Sequence, residues 1–331
     1  MMKKLSMLAA VLLCLAALTF AAPAPADSGY KVLRSFAIGG EGGWDYLTFD
    51  AATRRLFIAR ATRVQVVDVD AGKLLGEIPG TNGVHGVAIV ASAGRAVSSN
   101  GRDNSALIFD PKTLAPVATI KTGTKPDAIL YEPFTGLVLT MNGGSSDVTV
   151  IDPVQAAVVA TIPLPGRPET AVSDGKGKVF INLEDKNSLA VLDMATRKVV
   201  ATWPMDGCDE PTGLAYDAAT ARLFSGCHSN TLVVVDAATG RNVQKLTIGA
   251  GVDAAAFDAN RKLVFTSNGS GSISVAQQDS ADQYTSLAEV PTAARARTVA
   301  LDPEKHLLYT VTNIPGADGK PVFTLLVVGR P

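Results

Sequence analysis

The apolar residues of this chain fall into short runs separated by turns rich in Gly, Asp, Asn and Pro. No run has the 3.6-residue period of an amphipathic helix. A short strand-like run ending near an acidic residue or a substitute recurs seven times, as in DYLTFD at 45–50 and TGLAYD at 212–217. Successive starts are 40, 42, 42, 43, 41 and 44 residues apart. This period predicts a repeat protein whose units start near residues 45, 85, 127, 169, 212, 253 and 297.

Each repeat contains several predicted strands, and most contain four. In the third repeat these are DAILYE (127–132), GLVLTM (136–141), VTVID (148–152) and VVATI (158–162). Short strands joined by tight turns are typical of β-propeller blades. The apolar runs are nearly continuous, as in a sheet that is covered on both faces. The chain is therefore predicted to be all-β, a seven-bladed propeller with four-stranded antiparallel blades.

The two ends of the chain predict how the ring closes. The last repeat has only three strands, and the segment at 30–40 matches the fourth strand of the first repeat, KLLGEIPG at 73–80. We expect residues 31–38 to pair with 323–328 in the last blade, because a closed ring removes unpaired sheet ends. This arrangement makes residues 27–331 a single propeller domain.

Several repeat motifs resemble those of a known family. The third repeat carries LVLTMN (137–142), VTVID and VVATIPLPG (158–166). These resemble the YVTN-repeat β-propellers, the YncE-like group of exported bacterial proteins, over residues 30–331. Departures are Arg60 in the first repeat and the insertion QQDSADQY at 277–284. The resemblance implies the fold and implies no single activity, since such propellers include binding proteins, enzymes and cofactor carriers.

Residues 1–26 are predicted to be a cleaved signal peptide. Lys3 and Lys4 precede a short apolar run, and Ala24-Pro25-Ala26 offers a cleavage site, with an earlier one near Ala21. Cys14 lacks the surroundings of a lipoprotein anchor, and no later segment is long and apolar enough to span a membrane. We therefore expect a periplasmic or secreted monomer without membrane insertion.

Composition and motifs exclude several classes of function. The net charge of −1 and the 6% of aromatic residues, not interleaved with basic ones, argue against nucleic acid as a partner. The sequence has no GxSxG, HExxH, Walker-type or CxxCH motif. We therefore predict no cofactor, and leave a divalent cation open.

A constant spacing predicts two rings of residues at one mouth of the central tunnel. The first residue of each innermost strand lies 15 positions before the end of the second strand in every repeat. Because the two strands are antiparallel, both residues are expected on the same face. The inner ring, called the mouth ring below, consists of Asp45, His85, Asp127, Glu169, Thr212, Asp253 and Arg297. The outer ring consists of the residues that end the second strands. The ligand-binding candidates are Asp45, His85, Asp127, Glu169, Asp253 and Arg297, with Arg60 and Glu184 from the outer ring.

The mouth ring is open to two interpretations. The arc of Asp45, His85, Asp127 and Glu169 offers three carboxylates and an imidazole, which suit a divalent cation or a general base. Alternatively, a wet tunnel mouth is simply polar, and Arg297 forms salt bridges with Asp253 and Asp45. In the outer ring, Asn100, Asn142 and Asn268 are predicted to be turn formers, since Asn tolerates left-handed backbone.

Cys208 and Cys227 lie in two loops expected on the mouth face. An exported protein favours a disulfide between them. A soft-metal site with His228 is the alternative.

Three functional hypotheses remain. The leading one is an exported, non-catalytic scaffold whose mouth face binds a small ligand or an envelope or extracellular protein. The second is a hydrolase resembling the propeller lactonases, with a divalent cation in the tunnel mouth. The third is a propeller associated with periplasmic redox chemistry.

Overall fold

A computed structural model describes residues 24–331 of the chain. All but the last three positions of the predicted signal peptide lie outside these residues. The described chain forms seven antiparallel sheets, which confirms the predicted seven-bladed propeller. The only helical segments among residues 24–331 are two short 3₁₀ turns, Ala91–Ala93 and Glu184–Lys186. Within this part of the chain, no helix has the length and apolar character needed to cross a membrane.

Within each blade the strands follow one another from the tunnel outward, and the last blade takes its outermost strand from the N-terminal end. The strands of blades 1 to 4 are Leu47–Asp50, Arg55–Arg60, Arg63–Asp68 and Lys73–Pro79; Val84–Val90, Arg95–Asn100, Ser105–Phe109 and Pro116–Lys121; Pro126–Glu132, Leu137–Asn142, Asp147–Asp152 and Ala157–Pro163; and Pro168–Ser173, Lys178–Leu183, Ser188–Asp193 and Lys198–Pro204. Those of blades 5 to 7 are Pro211–Asp217, Arg222–Cys227, Thr231–Asp236 and Asn242–Thr247; Val252–Asp258, Leu263–Asn268, Ser272–Ser280, Gln283–Ser286 and Val290–Pro291; and Val299–Asp302, Leu307–Pro315, Pro321–Gly329 and Lys31–Ala37.

The ring is closed by strands from both ends of the described chain. Lys31–Ala37 pairs antiparallel with Pro321–Gly329, with Lys31 opposite Gly329 and Ala37 opposite Thr324. The innermost strands contact one another in ring order, and that of blade 7 contacts that of blade 1. The predicted closure is therefore confirmed.

The hydrophobic core lies between blades. The second and third strands are buried on both faces, and aromatic side chains from neighbouring blades meet there, as do Phe57 and Phe109 with ring centroids 6.2 Å apart. Each outermost strand is partly exposed, as in Lys198–Pro204. The two-sided burial explains why the inner apolar runs lack a polar alternation.

Blade 6 departs from the four-stranded pattern. The polar insertion lengthens its third strand to Ser280 and turns into Gln283–Ser286, while Val290–Pro291 pairs with the start of the third strand. Gln278 is buried in this insertion, and its amide donates hydrogen bonds to Asp217 Oδ2 of blade 5 (2.9 Å) and to Tyr284 Oη (3.1 Å). The polar residues of the insertion thus attach the edge of blade 6 to blade 5.

Candidate functional site

A β-bulge positions the mouth-ring residue in each of blades 2 to 6. In blade 3, Pro126 lies opposite Asn142 and the next aligned pair is Ile129 with Thr140, so the innermost strand carries one extra residue. Equivalent shifts occur at the same place in the other four blades. The direct partner of Asn142 is therefore Pro126, one residue before the Asp127 of the 15-residue spacing. A bulge redirects the side chain that it contains, which accounts for the convergence of this set.

Three of the predicted residues form a compact group on blades 1 to 3. His85 Nδ1 lies 2.6 Å from Asp45 Oδ2 and 3.3 Å from Asp127 Oδ1. Their side chains are 32%, 18% and 29% exposed, respectively, so the group is accessible from the mouth. Gly101 allows this packing, because a Cβ there would lie 2.8 Å from His85 Nε2.

A second group confirms the salt bridges expected of Arg297. Its Nε lies 2.5 Å from Asp253 Oδ2, and its Nη2 lies 3.6 Å from Asp45 Oδ1. The hydroxyl of Thr212 donates a hydrogen bond of 3.2 Å to Asp253 Oδ1. Arg297 therefore links Asp253 of blade 6 to Asp45 of blade 1.

Tyr46 is a site residue that the sequence reasoning missed. It starts on blade 1 and reaches across the tunnel, where its hydroxyl donates a 2.8 Å hydrogen bond to Glu169 Oε1 of blade 4. The hydroxyl also lies 3.2 Å from Thr170 Oγ1. A signal for it exists in the repeat alignment, because the residue after the mouth-ring position is small in every other blade. Those residues are Gly86, Ala128, Thr170, Gly213, Ala254 and Thr298. A narrow tunnel has room for one large side chain, that of Tyr46, only when the six equivalent residues are small.

The electrostatics of the mouth ring are set by buried like charges. Burial raises the pKa of Asp127 to about 6, an effect opposed by His85 and reinforced by Asp45 and Asp253. Burial and the charge of Asp127 raise the pKa of Glu169 well above its ordinary value. Burial lowers the pKa of His85, but the hydrogen bond that the imidazole donates to Asp45 and the charge of Asp127 outweigh it, and the pKa is raised overall. Protons are thus held unusually tightly here.

The outer-ring candidates are engaged in structural contacts. Arg60 is fully buried, and its guanidinium donates hydrogen bonds to the carbonyls of Gly40 (2.7 Å) and Gly42 (2.6 Å) and stacks 3.6 Å from the ring centre of Phe323. It therefore holds the glycine-rich loop against blade 7, away from the mouth group. Glu184 forms an ion pair with Arg167 at 2.9 Å.

The repeated asparagines are structural, but by a different mechanism from the one expected. Asn142 is buried, accepts a hydrogen bond from Thr140 Oγ1 (3.0 Å) and donates to Thr149 Oγ1 (2.8 Å) on the neighbouring strand. Asn268 bonds in the same way to Thr266 and Ser274. None of the repeated set has left-handed backbone, which occurs instead a few residues later, as at Ser146. The asparagines thus brace the second strand against the third.

Cys208 and Cys227 form a disulfide with their Cα atoms 5.3 Å apart. Both are buried in the core between blades 4 and 5. His228, the alternative partner in a metal site, is paired with Glu210 at 2.9 Å. The disulfide prediction is therefore confirmed in preference to a thiolate metal site.

Two cavities open on the mouth face and share the group of Asp45, His85 and Asp127. The first, of about 630 Å³, extends over blades 1 to 3 and is called the side cavity. Besides the shared group, its walls include Trp44, Val84, Arg102 and Lys125. The second, of about 410 Å³, lies over the tunnel and reaches Glu169 and Arg297. The structure thus brings six of the eight candidates, all but Arg60 and Glu184, into one continuous mouth.

Comparison with known proteins extends only to the fold. No protein-family model and no curated protein sequence matches the chain. The structure is similar to hydrazine synthase from Kuenenia stuttgartiensis, with a TM-score of 0.72 and 16% identity, over 82% of this chain and 93% of that one. It is also similar to the WD40 repeats of RRP9, with a TM-score of 0.75 and 14% identity, over 93% of this chain and 99% of that one. At these identities the likeness shows the propeller architecture and no activity.

The raised pKa of Asp127 predicts a specific pH dependence of stability. A carboxyl whose pKa is higher in the folded state stabilises the fold at low pH, and this contribution is lost as the pH rises from about 4 to about 6. The stability of Asp127→Asn relative to the wild type should therefore increase between pH 4 and pH 7, by on the order of 2 kcal/mol. Urea denaturation at both values measures it. Asp103→Asn, in an exposed turn on the same face, is the control and should keep a constant difference, and a constant difference for Asp127→Asn contradicts the prediction.

Proposed function

We propose that this protein is an exported binding protein of the YVTN-repeat type that holds a small polar ligand at the mouth of its propeller. The observation that carries the proposal is the side cavity of about 630 Å³ with Asp45, His85 and Asp127 converging at its base. Pockets for small molecules have this size and combine apolar walls with a few polar groups. Trp44 and Val84 supply the apolar wall here.

The rigidity of the scaffold supports this function. The bulges direct the mouth-ring side chains through backbone geometry, and His85 contacts two carboxylates. A site that is formed in advance loses less entropy on binding. Rigid folds that place polar groups at one opening commonly bind there.

Ligand binding is testable without knowing the ligand. Thermal denaturation against a collection of small polar molecules should reveal stabilising compounds, which calorimetry then quantifies. In the double variant Asp45→Asn, Asp127→Asn the affinity should fall by about tenfold or more, because each carboxylate supplies charge-assisted hydrogen bonds. Asp103→Asn lies outside the cavity and should bind like the wild type. Ligands that bind the double variant and the wild type equally would place the site elsewhere.

Export is supported by the features of residues 1–26 and by the Cys208–Cys227 disulfide, which suits an oxidising compartment. Expressed with its own N-terminus in a Gram-negative host, the protein should be recovered from the envelope fraction, cleaved after Ala26 or near Ala21. The intact mass shows whether the signal peptide is cleaved, and a thiol titration under denaturing conditions shows whether the disulfide is formed. Recovery of the uncleaved chain in the cytoplasm with two free thiols argues against export.

A metal-dependent hydrolase is the second candidate, and one specific observation favours it. Asp45, His85 and Asp127 each offer a ligand atom, and these atoms lie within 4.8 Å of one another. Two carboxylates and an imidazole are a donor set for Zn²⁺, Mn²⁺ or Fe²⁺, with positions left for water and substrate. A cation would have to displace the proton that His85 Nδ1 shares with Asp45, so it competes with the present hydrogen bonds.

Metal binding is therefore expected to depend strongly on pH if this candidate holds. Protein purified without chelator should contain one ion per chain, and calorimetry with Zn²⁺ and Mn²⁺ should give affinities that rise from pH 5 to pH 8 as His85 and Asp127 lose their protons. His85→Ala should abolish the binding, and His306→Ala, on the other face, should not. Absence of stoichiometric metal together with no binding of either ion removes the hydrolase and leaves the ligand-binding proposal intact.

A further inference from the structure

The side cavity has two walls of opposite charge. At its base, next to the tunnel, lie the carboxylates of Asp45 and Asp127 on either side of His85. At its outer wall lie Arg102, in the turn between the second and third strands of blade 2, and Lys125, in the turn that leads into blade 3. A molecule that fills this cavity therefore meets acidic groups at one end and basic groups at the other.

The two cations of the outer wall are available to a ligand. Both are exposed, and neither belongs to the ion pairs formed within residues 24–331. Their backbones are nonetheless fixed, since the amide of Lys125 donates a 2.8 Å hydrogen bond to Asn104 Oδ1. Arg102 packs its stem over Gly83, where a Cβ would lie 2.6 Å from Arg102 Cγ. Both side chains thus line the cavity, and their charges have no ion-pair partner within the described residues.

The inner wall has the opposite imbalance. The two carboxylates that line the side cavity, those of Asp45 and Asp127, lie on either side of a single imidazole, that of His85. Arg297 is committed to Asp253 and Asp45. The carboxylate of Asp127 has only the longer contact of 3.3 Å with His85. A positively charged donor at this end would offset the excess of acidic groups.

We propose that the ligand of the side cavity is a short peptide with both ends free, its ammonium on Asp127 and Asp45 and its carboxylate on Arg102 and Lys125. This inference rests on the proposed ligand-binding function and adds the chemical class. An ammonium offers three donors to carboxylate oxygens, and Arg and Lys are the usual partners of a carboxylate.

The size of the cavity selects a peptide over a single amino acid. An extended tripeptide spans about 10 Å, which is also roughly the diameter of a sphere of about 630 Å³. A single amino acid carries both charged groups on one carbon atom and is too short to reach both walls of such a space. A metal ion or a simple anion uses only one of the two walls.

Matched peptides test the proposal. Isothermal calorimetry measures the affinities of four compounds: trialanine with free ends, N-acetylated trialanine, trialanine amide and alanine. Circular dichroism first checks that each protein sample is folded. The free tripeptide should bind, and capping either end should weaken binding about tenfold or more, since each cap removes a charge-assisted contact. Alanine should bind at least tenfold more weakly than the tripeptide.

Variants assign each end of the peptide. The double variant Arg102→Ala, Lys125→Ala should bind the peptide amide and the free peptide with equal affinity. The variant Asp127→Asn should bind the acetylated peptide and the free peptide with equal affinity. Lys112→Ala, an exposed cation outside the cavity, should behave as the wild type. Equal binding of free and capped peptides by the wild type overturns the proposal, as does an unchanged preference in the variants. If no peptide binds while the thermal screen yields a ligand that needs Asp45 and Asp127, the peptide class is wrong and the binding function stands.

Discussion

The packing of blade against blade is the constraint on which the rest of this structure depends. Each sheet is apolar on both faces, so no blade can bury its surface without two neighbours. The ring must therefore close, and the pairing of Lys31–Ala37 with Pro321–Gly329 supplies the last contact. Closure in turn fixes the radius at which the innermost strands begin. The mouth ring is a product of this geometry, since seven equivalent positions are brought onto one small circle.

The mouth ring brings several carboxylates close together, and neighbouring side chains neutralise some of them more fully than others. Arg297 neutralises the side between blades 6 and 1 through its contacts with Asp253 and Asp45, whereas Asp127 has only the imidazole of His85. Glu169 is buried beside Tyr46 and accepts its hydroxyl hydrogen bond. One half of the mouth is thus electrostatically satisfied and the other half is not. Asp127 also lines the larger cavity, and this coincidence is the reason for placing the proposed ligand on that side.

Most of the fold was predictable because the 42-residue period, the strand count and the missing fourth strand are all local features of the sequence. The convergence of Asp45, His85 and Asp127 followed from the same spacing. The role of Arg60 was not predictable. A break in the repeat does not reveal whether its side chain points to the mouth or to the loop of Gly40–Gly43. The bracing role of Asn142 was also hidden, since its partner Thr149 is defined only by strand register.

Tyr46 has a consequence for how the propeller exchanges material with its surroundings. Its side chain crosses the tunnel from blade 1 to Glu169 in blade 4 and so narrows the tunnel. We therefore expect a molecule bound at the mouth to arrive and to depart through the mouth face. A second macromolecule seated over that opening would slow both rates together and leave the equilibrium constant unchanged. The two faces of the disc are then kinetically independent, and only one of them controls residence time.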